Sequence, residues 1–158
     1  MKVGIIGFGF VGKALFSGIK TDVETIKIDP MLNSGIDDLI SFNPEFVFIC
    51  VPTPMKDDGS QDLSILEKVF EQISSAEIDA SIILKSTVTP DNLSILSKKQ
   101  EFVYNPEFLR ERYANEDFIN SSSILLSGSN EDIKRVENIY IENSICKNFN
   151  FINTDHMT

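Results

Sequence analysis

The chain of 158 residues has no tryptophan, one histidine and two cysteines. Cys50 and Cys146 show neither a CxxC arrangement nor metal-ligand spacing, which excludes a zinc site and a thioredoxin-like redox motif. Cys50 lies inside "VFICVP" and reads as a buried apolar thiol. The lone histidine, His156, sits in the terminal tail and receives no role. No metal site is expected. Basic residues are also scarce: 14 Lys and Arg stand against 24 Asp and Glu, for a net charge of −10. That balance excludes the basic footprint which nucleic acid requires and argues against an anionic membrane surface. No run of about 18 apolar residues exists to span a bilayer. The N-terminus is one lysine followed directly by a strand-like run rather than a signal peptide, so a cytoplasmic chain is expected. An anionic ligand would have to be held by local dipoles against the overall field.

Apolar runs in alternation with helical patterns are abundant. "KVGIIG" (2–7), "VETIKID" (23–29), "EFVFICV" (45–51), "SIILKS" (81–86), "EFVY" (101–104) and "SILLS" (123–127) are dense in β-branched and aromatic residues. Several are apolar at consecutive positions, as strands buried on both faces should be. Between them, Leu63, Leu66, Phe70 and Ile73 fall on one helical face after Asp62, a good N-cap. Ile133, Val136 and Tyr140 do the same after Asn130, and Thr89-Pro90 reads as an N-cap with proline at the first helical position. Residues 35–42 offer a short helix and "NFNFIN" (148–153) a final strand. The expected fold is α/β, one domain over 1–158: a doubly wound, mainly parallel sheet of about six strands with helices on both faces.

Gly7-x-Gly9-x-x-Gly12 directly follows the first strand and opens a helix. Gly7 permits the tight turn, Gly9 lets a pyrophosphate approach the backbone, and Gly12 brings helix and strand close. The free amides of the helix N-terminus then face the phosphates. Asp29, which closes the second strand, is the acid expected to bind the adenosine ribose. The next residues, Pro30-Met31-Leu32-Asn33, supply no arginine for a 2′-phosphate, so the Rossmann-type site favours NAD over NADP. FAD and S-adenosylmethionine use related folds and stay open at this point.

In such sheets ligands sit outside the carboxyl ends of the strands. "VPTP" (51–54), "KSTVTP" (85–90) and "NPEFLRE" (105–111) should therefore share one edge. Pro52 and Pro54 stiffen a loop under the nicotinamide side, and Ser86 and Thr87 place hydroxyls beside it. Glu107, Arg110 and Glu111 have the spacing of a helix that starts after Asn105-Pro106. Taken alone, this acidic and basic set is equally a solvated face with an i,i+3 ion pair.

"GFGFVG", "VPTP", "KSTVTP" and "NPEFLRE…DF", in this order, resemble the NAD-binding domain of the UDP-glucose/GDP-mannose dehydrogenases over nearly the whole chain. The resemblance implies oxidation of a nucleotide-sugar C6 alcohol to a carboxylate with two NAD⁺ and a cysteine thiol, through a thioester that water hydrolyses. It implies that Thr87 positions the water, that Glu107 serves the acid–base steps, and that Glu111 lies at the substrate side. Gly7, Gly9, Phe10, Val11, Gly12, Asp29, Pro52, Thr53, Ser86 and Thr87 would line the cofactor. The family's cysteine segment, central helix and substrate domain have no counterpart here. "TPDNL" lacks a glycine usual after that proline, Arg112 replaces another, and the region after the second strand is short. The chain is thus expected to bind NAD, to be inactive alone, and to be a monomer or weak dimer completed by a second chain or a further domain that holds the nucleotide sugar. A free-standing dinucleotide-binding module and the cofactor domain of a hydroxyacid-type dehydrogenase are the alternative readings.

Overall fold

Residues 1–154 are described by the structure, a computed structural model; His156 lies outside them. Among the described residues the strands are β1 (Lys2–Ile6), β2 (Glu24–Ile28), β3 (Phe46–Ile49), β4 (Ser81–Leu84), β5 (Val103–Tyr104), β6 (Ser123–Ser127) and β7 (Asn150–Thr154). The helices are α1 (Phe10–Gly18), α2 (Ile36–Phe42), α3 (Ser64–Ser75), α4 (Pro90–Ser97), α5 (Ala114–Ile119) and α6 (Asn130–Asn143). The strands form one sheet in the order β2-β1-β3-β4-β5-β6-β7. All neighbours are parallel except β5 and β6, which pair antiparallel through Tyr104 and Ser127.

The consecutive apolar residues of the central strands are explained by two cores. Val3, Ile5, Phe48 and Ile83 pack on one face with Leu15 of α1, Phe118 of α5 and Val136 of α6. Val47, Ile49, Ile82 and Leu84 face the other way, against Leu39 of α2, Leu66 and Phe70 of α3, and Leu96 of α4. Side chains alternate across a strand, so a strand covered on both sides must be apolar at every position. The doubly wound sheet read from the sequence is therefore present, with a seventh strand. That strand, β7, lies at the sheet edge with only partial burial, which is why its pattern is weak in the sequence.

Two local expectations change. The helix after Asp62 starts at Ser64, and Asp62 accepts a hydrogen bond from the Ser64 amide at 2.9 Å, so it caps from one residue further out. The fifth strand shrinks from the four expected residues to Val103–Tyr104, because only these two pair with β4, at Ile83 and Leu84, before the chain enters a long connection.

Glycine packing fixes the first β–α turn. Gly7 has φ +88°, and a Cβ there would lie 2.6 Å from the Cys50 carbonyl oxygen. A Cβ on Gly12 would collide with the Gly7 carbonyl, a backbone atom that cannot rotate aside. Replacing Gly12 with alanine should cost on the order of 2–3 kcal/mol in urea unfolding, the usual penalty of overpacking a site that cannot relax. An unchanged midpoint would show that the turn has slack.

Candidate functional site at the carboxyl edge of the sheet

The glycine loop ends at Gly9, where a Cβ would meet no atom within 4 Å, so the loop faces open space at this point. No side chain caps α1 and no acid lies in its first turn. The first amides of a helix have no intrahelical acceptor and carry the positive end of its dipole. Phe10 is exposed, Val11 is half-buried, and Gly12 is buried against the turn. This end of the helix fits a phosphate group.

Asp29 stands beside it. Its carboxylate accepts from the Phe8 amide at 2.6 Å and from the Met31 amide at 2.9 Å, one bond on each oxygen. Ser34 braces it from behind, accepting from the Asp29 amide at 3.0 Å and donating to the Lys27 carbonyl at 2.9 Å. A carboxylate has roughly four acceptor positions, so Asp29 keeps capacity for hydroxyl donors. Lys27 stands over the ring of Phe16 at 4.2 Å and that of Phe8 at 5.3 Å, in cation–π contacts that occupy its ammonium.

The three expected loops do share one edge, and hydrogen bonds tie them together. Thr53 donates to the Thr87 carbonyl at 2.6 Å, and Gln61 donates to the same oxygen at 2.8 Å. Gln61 also accepts from the Thr89 amide at 3.1 Å and from Asn92 at 3.2 Å. Pro52 and Thr87 are exposed on this edge. Ser86 lies beneath the edge rather than on it: it is buried and donates to the Val51 carbonyl at 2.7 Å, which joins the end of β3 to the end of β4.

The segment after Asn105-Pro106 departs from the expected helix. Residues 105–110 form an irregular loop, a short 3₁₀ turn covers Glu111–Tyr113, and α5 begins only at Ala114. Glu107 accepts from the Leu109 amide at 2.5 Å, a local turn that competes with helix formation. Arg110 ignores both glutamates and pairs with Asp117, at 2.7 and 3.0 Å from its guanidinium and 3.0 Å from its amide. These bonds hold the Asp117 carboxyl down at about 2. Glu107 lines a cavity of about 30 Å³ with Lys85, Pro106 and Leu109. Glu111 lines a shallow groove of about 350 Å³ with Phe10, Lys13 and Arg112. The two carboxylates thus face different spaces, and Glu111 is the one beside the N-terminus of α1.

Neither cysteine is fit to be a nucleophile. Burial pushes the Cys50 thiol up to about 12 and also raises Cys146. Among the described residues no group of three or more His, Cys, Asp or Glu could hold a metal ion, and no helix is long and apolar enough to cross a membrane. Sequence reasoning missed Gln61, Lys85, Asn105, Asp117 and Tyr140. Lys85 had a signal: it follows directly on an apolar strand whose alternation carries it into the core. Gln61 had none, since its partners lie across a loop.

A glycine turn, an acid at the end of β2 and an open helix N-terminus on a doubly wound sheet define a dinucleotide-binding domain of the Rossmann class. Residues 36–144 match the NAD binding domain of the UDP-glucose/GDP-mannose dehydrogenase family. The chain belongs to that family, and NAD is the cofactor of the matched domain. It is 35% identical over 127 residues to UDP-glucose 6-dehydrogenase of Rickettsia felis, covering 73% of this chain and 28% of that protein. The corresponding enzyme of Rickettsia typhi is 32% identical over 175 residues, covering 84% of this chain and 40% of the relative. A UDP-glucose dehydrogenase structure from Pyrobaculum islandicum superposes with a TM-score of 0.80 at 18% identity, over 99% of this chain and 46% of that one, a likeness of fold. The chain thus spans less than half the length of each of these proteins.

The Arg110–Asp117 pair makes a pH prediction. A carboxyl depressed from 3.8 to about 2 contributes stability that is present above about pH 4 and lost as pH falls through about 2. Asp117→Asn should lower the urea midpoint at pH 7, and the gap from wild type should close between about pH 4 and 2. A gap that stays constant across that window would show that the ion pair contributes nothing.

Proposed function

We propose that this chain is the NAD-binding portion of a nucleotide-sugar 6-dehydrogenase, an oxidoreductase that converts a C6 alcohol to a carboxylate. The reading rests on one observation above all. In a chain of this family, the glycine loop with Asp29 and the Asn-Pro-Glu turn with Glu107 occupy the same carboxyl edge of the sheet. NAD, when bound, supplies the hydride acceptor. Gly7, Gly9, Phe10, Val11 and Gly12 receive its pyrophosphate, and Asp29 accepts from the adenosine ribose. Pro52 and Thr53 form the wall beside the nicotinamide, and Ser86 fixes that wall from below. Thr87 positions water, and Glu107 takes a proton from it during hydrolysis, a task suited to a placed carboxylate. Glu111 reaches the substrate side beyond α1.

The nucleophilic thiol comes from outside this chain, because Cys50 and Cys146 are buried and held protonated. The central helix and the domain that reads the nucleotide sugar are likewise supplied beyond 1–158. This matches the share of each relative that the chain spans. Asp29 favours NAD⁺ over NADP⁺, since a 2′-phosphate would meet its carboxylate while Lys27 is engaged by two rings.

Calorimetric titration tests the cofactor half directly. NAD⁺ should bind and NADP⁺ should bind at least about tenfold more weakly, a difference of about 1.4 kcal/mol. Asp29→Ala should narrow that ratio. Equal affinity of the wild-type chain for both, or an unchanged ratio in the variant, would remove Asp29 from the ribose site.

A further inference from the structure

Lys85 is 3% exposed, yet it has no carboxylate within ion-pair distance among the described residues. Its ammonium donates to Asn105 alone, to the side-chain oxygen at 3.1 Å and the main-chain oxygen at 3.3 Å. An ammonium has three donors, so these bonds leave one unused. The Phe118 ring of α5 lies 5.7 Å away. Tyr140 of α6 donates to the same Asn105 oxygen at 2.6 Å. The titratable groups that act on Lys85 are Cys50 beyond β3, Glu107 on the loop after β5, and Cys146 beyond α6. Burial pulls the Lys85 amine below its ordinary value, and these three neighbours oppose that shift.

Burying an amine this way is costly, and an apolar side chain would fill the space without the penalty. What the amine adds is a connection. Lys85 and Glu107 line the same cavity of about 30 Å³, a space wide enough for one water. Through Asn105, Lys85 also grips the residue from which the Pro106–Glu107 turn departs.

We propose that Lys85 is a positioning residue for Glu107: it fixes the turn that carries the carboxylate and supplies positive charge to it across their shared cavity. The proposal deepens the reading of Glu107 as the acid–base group and rests on that reading for its catalytic meaning. Glu111 faces the groove beside α1 and lies outside this coupling.

An NMR titration of the whole chain, labelled at glutamate carboxyls and lysine Nζ, tests it. Glu107→Gln assigns the Glu107 carboxyl and Lys85→Met assigns the Lys85 amine. In the wild-type chain the Glu107 resonance should shift a second time at the pH where Lys85 loses its proton, and Lys85→Met should abolish that second step. In the same variant the Leu109 amide, held by the Glu107 carboxylate, should exchange about tenfold faster while the amides of β1 keep their rates. A Glu107 resonance that passes through the Lys85 titration in a single step would overturn the proposal. Should Lys85→Met fail to fold, the Lys85 amine is assigned through its proximity to the Phe118 ring, and the wild-type titration decides alone. Neither readout involves NAD⁺. Loss of coupling would therefore leave the cofactor reading standing, and absence of NAD⁺ binding would leave the coupling intact.

Discussion

The candidate site depends on the buried amide of Asn105. This residue is 2% exposed and stands where the sheet changes from parallel to antiparallel. Its amide nitrogen donates to the Leu84 carbonyl at 2.9 Å, extending the β4 ladder by one bond. Its side-chain nitrogen donates to the Leu125 carbonyl of β6 at 3.0 Å. Its side-chain oxygen accepts from Lys85 and from Tyr140. Between its amide and its side chain this one residue satisfies groups of β4, β6 and α6 and the Lys85 ammonium, where a two-residue β5 cannot. Few other side chains could do so, because the site needs both a donor and an acceptor on a short stem. The Pro106–Glu107 turn inherits its position from this network.

Glycine geometry imposes the matching constraint at the other end of the edge. The Gly7–Gly12 contact draws α1 onto β1, and the open backbone at Gly9 leaves the helix end free. That local positive potential matters in a chain of net charge −10, where the general field repels an anion. Asp29 strengthens the arrangement by tying its carboxylate to the Phe8 amide of the loop. The two constraints lie on opposite sides of β3 and β4. The clamp of Thr53 and Gln61 on the Thr87 carbonyl spans the gap between them.

How much of this was legible in the sequence varies with physical range. β1, β3, β4 and the glycine turn were readable because burial on both faces writes an apolar run, and the turn demands glycine at fixed spacing. β7 was faint because an edge strand needs no such run. The helix expected at Glu107 failed for a local reason and a distant one. Glu107 bonds its own backbone two residues on, and Arg110 finds Asp117 seven residues away rather than a glutamate at helical spacing. Lys85 was passed over because lysine is ordinarily a surface residue, although its place directly after an apolar strand covered on both faces marks it as buried. Gln61 and Asn105 work through contacts that only the assembled fold creates.

The central claim is that one sheet edge holds both the dinucleotide and the loops that carry Thr87 and Glu107. A crystal structure of this chain grown with NAD⁺ would test it most directly. The account predicts pyrophosphate over Gly9, ribose hydroxyls on Asp29, and the nicotinamide against the loops at 51–54 and 85–88. A dinucleotide whose nicotinamide turns away from those loops, with Asp29 still bonded only to Phe8 and Met31, would contradict it.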